Sequence, residues 1–354
     1  MSYHHKLLSY LENSFLKNLL NDVQITDISF NGETLHYVHN LKGRLLAETS
    51  PDESDVHDFL RHVANLTEQL FSYSNPILDV SVGKYRLNAV HPAIARLNYE
   101  KTTTFSLRIG HQKGDQRTIR FQPEPLLDRL FRRLVCAGVS IVIGGTTGSG
   151  KTEFQKYLIS IMKPTTRLIV IDNVLELEGI RTEANLDINI WQVNATIKGG
   201  DFSSLIANGL RSHPDWVIVA EARGGEMKEA LTAAMTGHPI ITTVHSLDVM
   251  TLPMRMARMV MAGQPTLRYA ETLADIKDHF PILVYLRKRE DEQGHIIREI
   301  HQIGEMRSSQ HKVRIIYEWD GKSAVMRRLS SKLLKRLSEP LADLGPFAFP
   351  TSKL

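Results

Sequence analysis

The sequence predicts an α/β protein in two parts: a smaller α/β domain first, then a larger domain built on a parallel sheet. Three observations lead there. From residue 123 onward, short continuous apolar runs alternate with stretches of helical periodicity, the pattern of parallel strands covered on both faces. Before residue 112 the runs alternate polar with apolar and turn tightly, as antiparallel strands do. Between them lies the polar, glycine-bearing stretch Gly110-His-Gln-Lys-Gly-Asp-Gln-Arg-Thr118, a natural linker. A chain of 354 residues also exceeds what one hydrophobic core usually supports.

In the first part, Leu7, Leu8, Leu11, Phe15, Leu19 and Leu20 fall at helical spacing. Ile25 to Phe30 then alternates and meets the turn pair Asn31-Gly32, followed by a strand carrying Leu35, Tyr37 and Val38. A helix is expected over Ser54–Phe71, with Val56, Phe59, Leu60, Val63, Leu66 and Leu70 on one face. Strand-like runs near 77–90 and 103–109 complete a domain over 1–112, with the linker at 113–122. In the second part, strands are expected at Val139–Ile143, Leu168–Ile171, Trp216–Ala220 and Ile240–Val244, with helices near 152–162, 203–211 and 225–236. The runs 282–288, 296–303 and 313–319 alternate, as in an antiparallel meander. This domain spans 123–307, and 308–354 form a strand-helix extension. Its end, Met326–Leu337, reads as a basic helix with Met326, Leu329, Leu333 and Leu337 on one face.

Composition narrows the chemistry. Apolar residues make up 42% and charged residues 23%, with a net charge of +4, ordinary values for a globular protein. Basic residues are not concentrated as in a dedicated nucleic-acid binder, which argues against direct nucleic-acid binding. The single cysteine, Cys136, rules out an intramolecular disulfide and a four-cysteine zinc module. His4, His5 and Lys6 precede no long apolar core, so no signal peptide is expected. No run approaches the ~18 apolar residues of a membrane span.

The strongest chemical signal is Gly145-Thr146-Thr147-Gly148-Ser149-Gly150-Lys151-Thr152, behind an apolar strand and ahead of a helix. It fits the template of glycine, four residues, glycine, lysine, then serine or threonine. Glycines let successive backbone N–H groups close around phosphates, and the helix N-terminus adds positive potential. Lys151 is placed to reach the β- and γ-phosphates of ATP, and Thr152 to ligate Mg2+. Hydrolysis needs carboxylates as well. Glu176, in Asp172-Asn-Val-Leu-Glu176, and Glu221, after Trp216–Ala220, both come just after core strands, on the edge where such sheets place their sites. A third strand, Ile240–Val244, ends at His245-Ser246 on that same edge.

Taken in order, these segments resemble the secretion-ATPase superfamily of type II and type IV systems, the tight-adherence pilus and conjugative-transfer types most closely. The resemblance rests on Gly145–Thr152, Asp172–Leu177, Leu210-Arg211 with Pro214-Asp215 through Glu221-Ala-Arg-Gly-Gly225, and Thr236-Gly237-His238 through Thr242–Ser246. It extends upstream to Ile25–Gly32 and to Arg86-Leu-Asn-Ala89 through Phe105–Arg108, and so covers about 23–307. It implies a RecA-like P-loop domain preceded by a PAS-like domain. By the same resemblance Glu221 polarises the attacking water, Glu176 assists at the metal or the water, and His245 couples the γ-phosphate to the next strand. Arg86 and Arg108 would bring positive charge to the phosphates.

The resemblance further implies a homo-oligomer, a hexameric ring at the inner face of the cytoplasmic membrane. Its partner would be an inner-membrane platform or channel protein, with the basic C-terminal helix as a peripheral membrane contact. Its output would be pilus assembly, or protein or DNA export. Three departures stand out: Asn173 where a second carboxylate is common, Ala220 where glycine usually precedes the glutamate, and Ala222 where a bulkier apolar residue is usual. Two other readings stay open at this point, a RecA-like nucleic-acid motor and a catalytically weak ATP-binding scaffold.

Overall fold

The structure is a computed structural model that describes residues 3–110, 125–173, 175–177, 180, 186–194, 197–307 and 312–338. The expected linker at 113–122 lies outside the described residues. The chain divides into two units, Met1–Thr118 with Glu290–Ile297, and Ile119–Arg289 with Arg298–Leu354.

Unit 1 opens with α1 (Tyr3–Glu12) and α2 (Lys17–Leu20). These two replace the single expected helix, because the Ser14 hydroxyl donates to Leu11 O and turns the chain. Then come β1 (Ile25–Phe30), β2 (Leu35–His39), β3 (Gly43–Leu46), α3 (Glu53–Leu66), β4 (Ile77–Val82), β5 (Tyr85–Val90), the short pair β6 (Arg96–Leu97) and β7 (Glu100–Lys101), and β8 (Thr104–Ile109). The six long strands form one sheet in the order β3-β2-β1-β8-β5-β4. Alternation decides its faces. Leu78, Val80, Val82, Tyr85, Leu87, Phe105 and Leu107 are buried against α1 and α3, and the residues between them face outward. The helix expected to reach Phe71 stops at Leu66, where Thr67 Oγ1 donates to Ala64 O and Glu68 takes φ of 52°. Leu70 is consequently exposed rather than on a buried helical face.

Unit 2 contains α4 (Pro125–Cys136), β9 (Ile141–Gly145), α5 (Lys151–Ser160), β10 (Arg167–Asp172), β11 (Asp187–Gln192), α6 (Phe202–Gly209), β12 (Trp216–Val219), α7 (Met227–Met235), β13 (Ile240–His245), α8 (Leu252–Gly263), α9 (Tyr269–His279), β14 (Ile282–Glu290), β15 (Ile296–Glu305), β16 (Arg314–Trp319), β17 (Ala324–Met326) and α10 (Ser331–Leu337). Its nine strands lie in the order β11-β10-β12-β13-β9-β14-β15-β16-β17. The neighbours from β11 to β14 run parallel, and β15, β16 and β17 pair antiparallel.

Both faces of this sheet are covered, and the strands show it residue by residue. Ile141 and Ile143 point into one apolar layer with Leu130, Phe131, Phe154 and Leu158, while Val142 points into the other with Ala230, Leu231, Met256 and Ile276. The continuous apolar runs arise from that double burial. One expectation fails here. Met326 ends strand β17, paired with Tyr317, and helix begins only at Ser331, because the Ser330 hydroxyl caps it by accepting from Leu333 N at 3.0 Å. Arg336, expected on a free basic face, instead donates to the carbonyls of Ala137 (3.0 Å) and Gly138 (2.7 Å). No helix among the described residues is long and apolar enough to cross a membrane.

Candidate active site

Strand order assembles the site. Strands β10, β12, β13 and β9 lie side by side and parallel, so the loops leaving their carboxyl ends all emerge at the same sheet edge. The register sets His245 beside Gly145. The loop from Gly145 to Gly150 closes between β9 and α5, with Thr146, Thr147 and Gly148 exposed and Ser149 buried. Two glycines are required by geometry. A Cβ on Gly145 would come within 2.3 Å of Ser149 Oγ and 2.8 Å of Leu286 O, and Gly150 caps α5 at φ of 91°.

Lys151 folds back over this loop. Its Nζ donates to Gly145 O (3.1 Å) and Thr146 O (3.0 Å) and meets His245 Nδ1 at 3.3 Å. An ammonium only donates, so Nδ1 is the acceptor and the imidazole proton belongs on Nε2. Nε2 in turn stands 2.8 Å from Glu221 Oε1. The other carboxylate oxygen, Oε2, accepts from Arg223 Nη2 at 2.7 Å. The four side chains therefore form one line: Lys151, His245, Glu221, Arg223.

This line sets the electrostatics. Burial raises the Glu221 pKa, but the Arg223 hydrogen bond and charge, with His245 and Lys151, outweigh it and hold the carboxyl below the usual carboxylate range. Burial and the Lys151 charge lower the His245 pKa, with Glu221 opposing, so the imidazole is neutral near pH 7. Arg223 is raised chiefly by its hydrogen bond to Glu221, and it also feels Glu176 and Glu226. Glu226 fixes the turn by accepting from Arg223 N and from Gly224 N (2.9 Å).

The remaining expected residues stand outside this line of contacts. Glu176 sits half-buried in the turn after β10, closed by Leu177 N donating to the buried Asp172 Oδ2 at 3.3 Å. Thr152 lies in the first turn of α5, partly exposed. Arg86 and Arg108 belong to unit 1, whereas the line from Lys151 to Arg223 is built by unit 2 alone. They pair directly across β5 and β8 on the outward face of that sheet. Ala220 fits its strand end, since its carbonyl accepts from Thr243 Oγ1 at 2.8 Å.

Buried polar atoms without a hydrogen-bond partner include Ser149 Oγ, Glu221 Oε1 and Ser246 Oγ at this edge, and Thr242 Oγ1 further back on β13. Glu221 Oε1 is among them because His245 Nε2 is close but not aligned with it. Such groups are costly unless something polar meets them. Sequence reasoning gave no role to Arg223, although it stands in the segment that carries the resemblance. It also missed Arg298, whose Nε donates to Gly148 O at 2.8 Å from 150 residues away.

The chain is similar to known proteins. The family model "Type II/IV secretion system protein" matches residues 90–277. An uncharacterized protein of Bacillus anthracis is 31% identical over 247 residues, 68% of this chain and 54% of that one. One of Methanocaldococcus jannaschii is 27% identical over 330 residues, 84% of this chain and 54% of that one. The chain thus spans about half the length of these two curated relatives. Conjugal transfer protein TrbB of Rhizobium radiobacter is 22% identical, covering 87% of this chain and 94% of TrbB. Among solved structures, the Legionella pneumophila ATPase DotB superposes with a TM-score of 0.58 at 19% identity, over 84% of this chain and 79% of DotB. The pilus retraction motor PilT with bound ADP gives 0.57 at 19%, over 81% and 80%. The fold is shared with both.

Proposed function

The chain belongs to the type II/IV secretion system protein family, and from that membership we propose that it is a Mg2+-dependent ATP hydrolase working as an oligomeric motor. The observation that carries this reading is the line from Lys151 through His245 to Glu221 at the mouth of the phosphate loop. The backbone amides of 146–151 and Lys151 bind the phosphates, whose oxygens take over the ammonium donors now spent on Gly145 O and Thr146 O. Glu221, kept ionised, accepts a hydrogen bond from water and aims its oxygen at the γ-phosphorus. The new P–O bond forms as the bond to the β-phosphate's bridging oxygen breaks. ADP and phosphate leave, and the water's proton ends on phosphate. His245 reports phosphate to Glu221, because it touches both Lys151 and the carboxylate.

Thr152 and Glu176 are hard oxygen donors suited to Mg2+. No three acidic or imidazole groups converge among the described residues to hold a metal by themselves, which fits an ion that rides on the nucleotide's phosphates. When bound, Mg2+ would neutralise phosphate charge as it builds. Arg86 and Arg108 are assigned the same charge-neutralising part, on the resemblance. A RecA-like core, a PAS-like amino-terminal unit and a hexameric ring complete the reading. The motor would act at the inner face of the cytoplasmic membrane on a platform or channel protein, driving pilus assembly or export. Of the basic residues near the C-terminal helix, Arg327 and Arg336 are committed within their own unit, which leaves Arg328, Lys332 and Lys335 for a membrane contact. The test is phosphate release from ATP, with Mg2+ and with Mg2+ chelated, by wild type and Lys151→Ala. Release confined to wild type with Mg2+ supports the assignment. No release from wild type overturns it.

A further inference from the structure

The phosphate loop is held from outside its own motif. Arg298, early on β15 (Ile296–Glu305), donates from Nε to Gly148 O at 2.8 Å. On the neighbouring β14 (Ile282–Glu290), Lys288 Nζ stands 4.0 Å from where a side-chain carbon on Gly148 would lie. Cations from two adjacent strands thus stand at Gly148, and one of them is bonded to its carbonyl. A carbonyl at that position would otherwise present a negative dipole to incoming phosphate.

The peptide plane makes this bond consequential. In a trans peptide the C=O of one residue and the N–H of the next point in opposite directions, and no cis bond occurs among the described residues. Fixing the Gly148 oxygen on Arg298 therefore turns the Ser149 N–H the opposite way, where it donates across the loop to Thr146 O at 3.3 Å. Beside it lies Ser149 Oγ, fully buried and without a hydrogen-bond partner. Arg298 suits the task, because its charge persists although burial lowers its pKa with Glu153 opposing. Its planar group also holds one geometry at lower entropic cost than a lysine would.

We propose that Arg298 is a positioning residue for phosphate binding: it anchors the Gly148 carbonyl from β15 and so aims the Ser149 amide into the loop. This rests on the ATP-binding reading above. It acts on nucleotide affinity more than on the chemical step, because Glu221, His245 and their water do not depend on the Gly148 peptide.

The experiment measures affinity for fluorescent N-methylanthraniloyl-ADP, KM and kcat for ATP, and the thermal midpoint. It compares wild type, Arg298→Gln, Arg298→Lys and Lys151→Ala. Arg298→Gln should weaken ADP binding and raise KM about five- to tenfold, the loss expected for one charge-assisted hydrogen bond, with kcat changed less than about threefold. Arg298→Lys, which keeps a donor and a charge, should fall between. Arg298→Gln that folds like wild type and binds ADP equally well overturns the proposal. If the glutamine variant does not fold, the lysine variant decides: weakened binding supports the role and wild-type binding overturns it. Wild-type ADP affinity in both Arg298 variants, with Lys151→Ala losing ADP, sinks this inference alone. No ADP binding by wild type sinks the nucleotide reading beneath it.

Discussion

Glu221 Oε1 and His245 Nε2 stand 2.8 Å apart, although Glu221 follows β12, His245 ends β13 and neither belongs to the phosphate loop. The contact exists because β12 and β13 are adjacent and parallel, with Val219 beside Thr242, so the segment that carries Glu221 beyond β12 runs alongside the end of β13. It joins the group expected to orient water to the group that touches the loop lysine. A change at the phosphates therefore has a route through His245 to the carboxylate.

The pH dependence has a definite sign. The His245 pKa lies below the ordinary 6.5, mainly from burial and Lys151, so the folded site disfavours the imidazolium. Its contribution is intact above about pH 6.5 and is lost as pH falls from there toward the lowered folded value. The acidic limb of kcat/KM for ATP should accordingly have its midpoint below 6.5. His245→Asn should remove that limb, leaving only the lower one set by Glu221. A pH–rate series on both proteins checks this. An unchanged limb in His245→Asn would refute it.

Arg223 should act through Glu221. Taking away its hydrogen bond and charge leaves burial to dominate, so the Glu221 pKa rises. Arg223→Gln should shift the lowest acidic limb upward and reduce kcat about fivefold at neutral pH, a modest loss because the arginine is largely exposed. ADP affinity should hold. Steady-state kinetics across pH, with fluorescent ADP binding alongside, reads all three.

Gly145→Ala tests the loop's closest approach. The added carbon would meet Ser149 Oγ at 2.3 Å and Leu286 O at 2.8 Å, and the backbone oxygen cannot swing aside. Nucleotide binding and turnover should each drop by about a hundredfold. Far-ultraviolet circular dichroism should stay close to wild type.

Phe154→Ala tests the platform beneath the site. Phe154 is fully buried, with its ring centroid 5.1 Å from that of Phe131 and 5.7 Å from that of Tyr157. Truncation should cost about 3–5 kcal/mol, seen as an earlier urea transition of unit 2 with the unit 1 transition unmoved.

Much of the fold and the site is legible in the sequence because the informative signals are local. The loop's glycine spacing, the apolar run before it and the carboxylates after two strands all lie within a few residues of what they specify. The losses have physical reasons. Helical periodicity over 326–337 is overridden where Met326 finds a β-sheet partner in Tyr317, a tertiary contact that local propensity cannot register. Leu70 has the spacing of a helix-face residue, but the chain turns at Glu68. Strand β11, Asp187–Gln192, alternates too weakly to stand out. Arg223 sits between Glu221 and Gly225, yet nothing local says that its side chain folds back on a residue two positions earlier. Arg298 is joined to the loop only by the sheet, across 150 residues.

The central claim is that Glu221 drives hydrolysis while the loop binds nucleotide independently, and one measurement addresses it: phosphate release per bound ATP in Glu221→Gln. The expected result is ADP and ATP binding within about threefold of wild type and turnover reduced at least about a hundredfold, the scale of a lost general base. Turnover at the wild-type rate with nucleotide still bound would contradict that claim, and would move the hydrolytic carboxylate away from the end of β12.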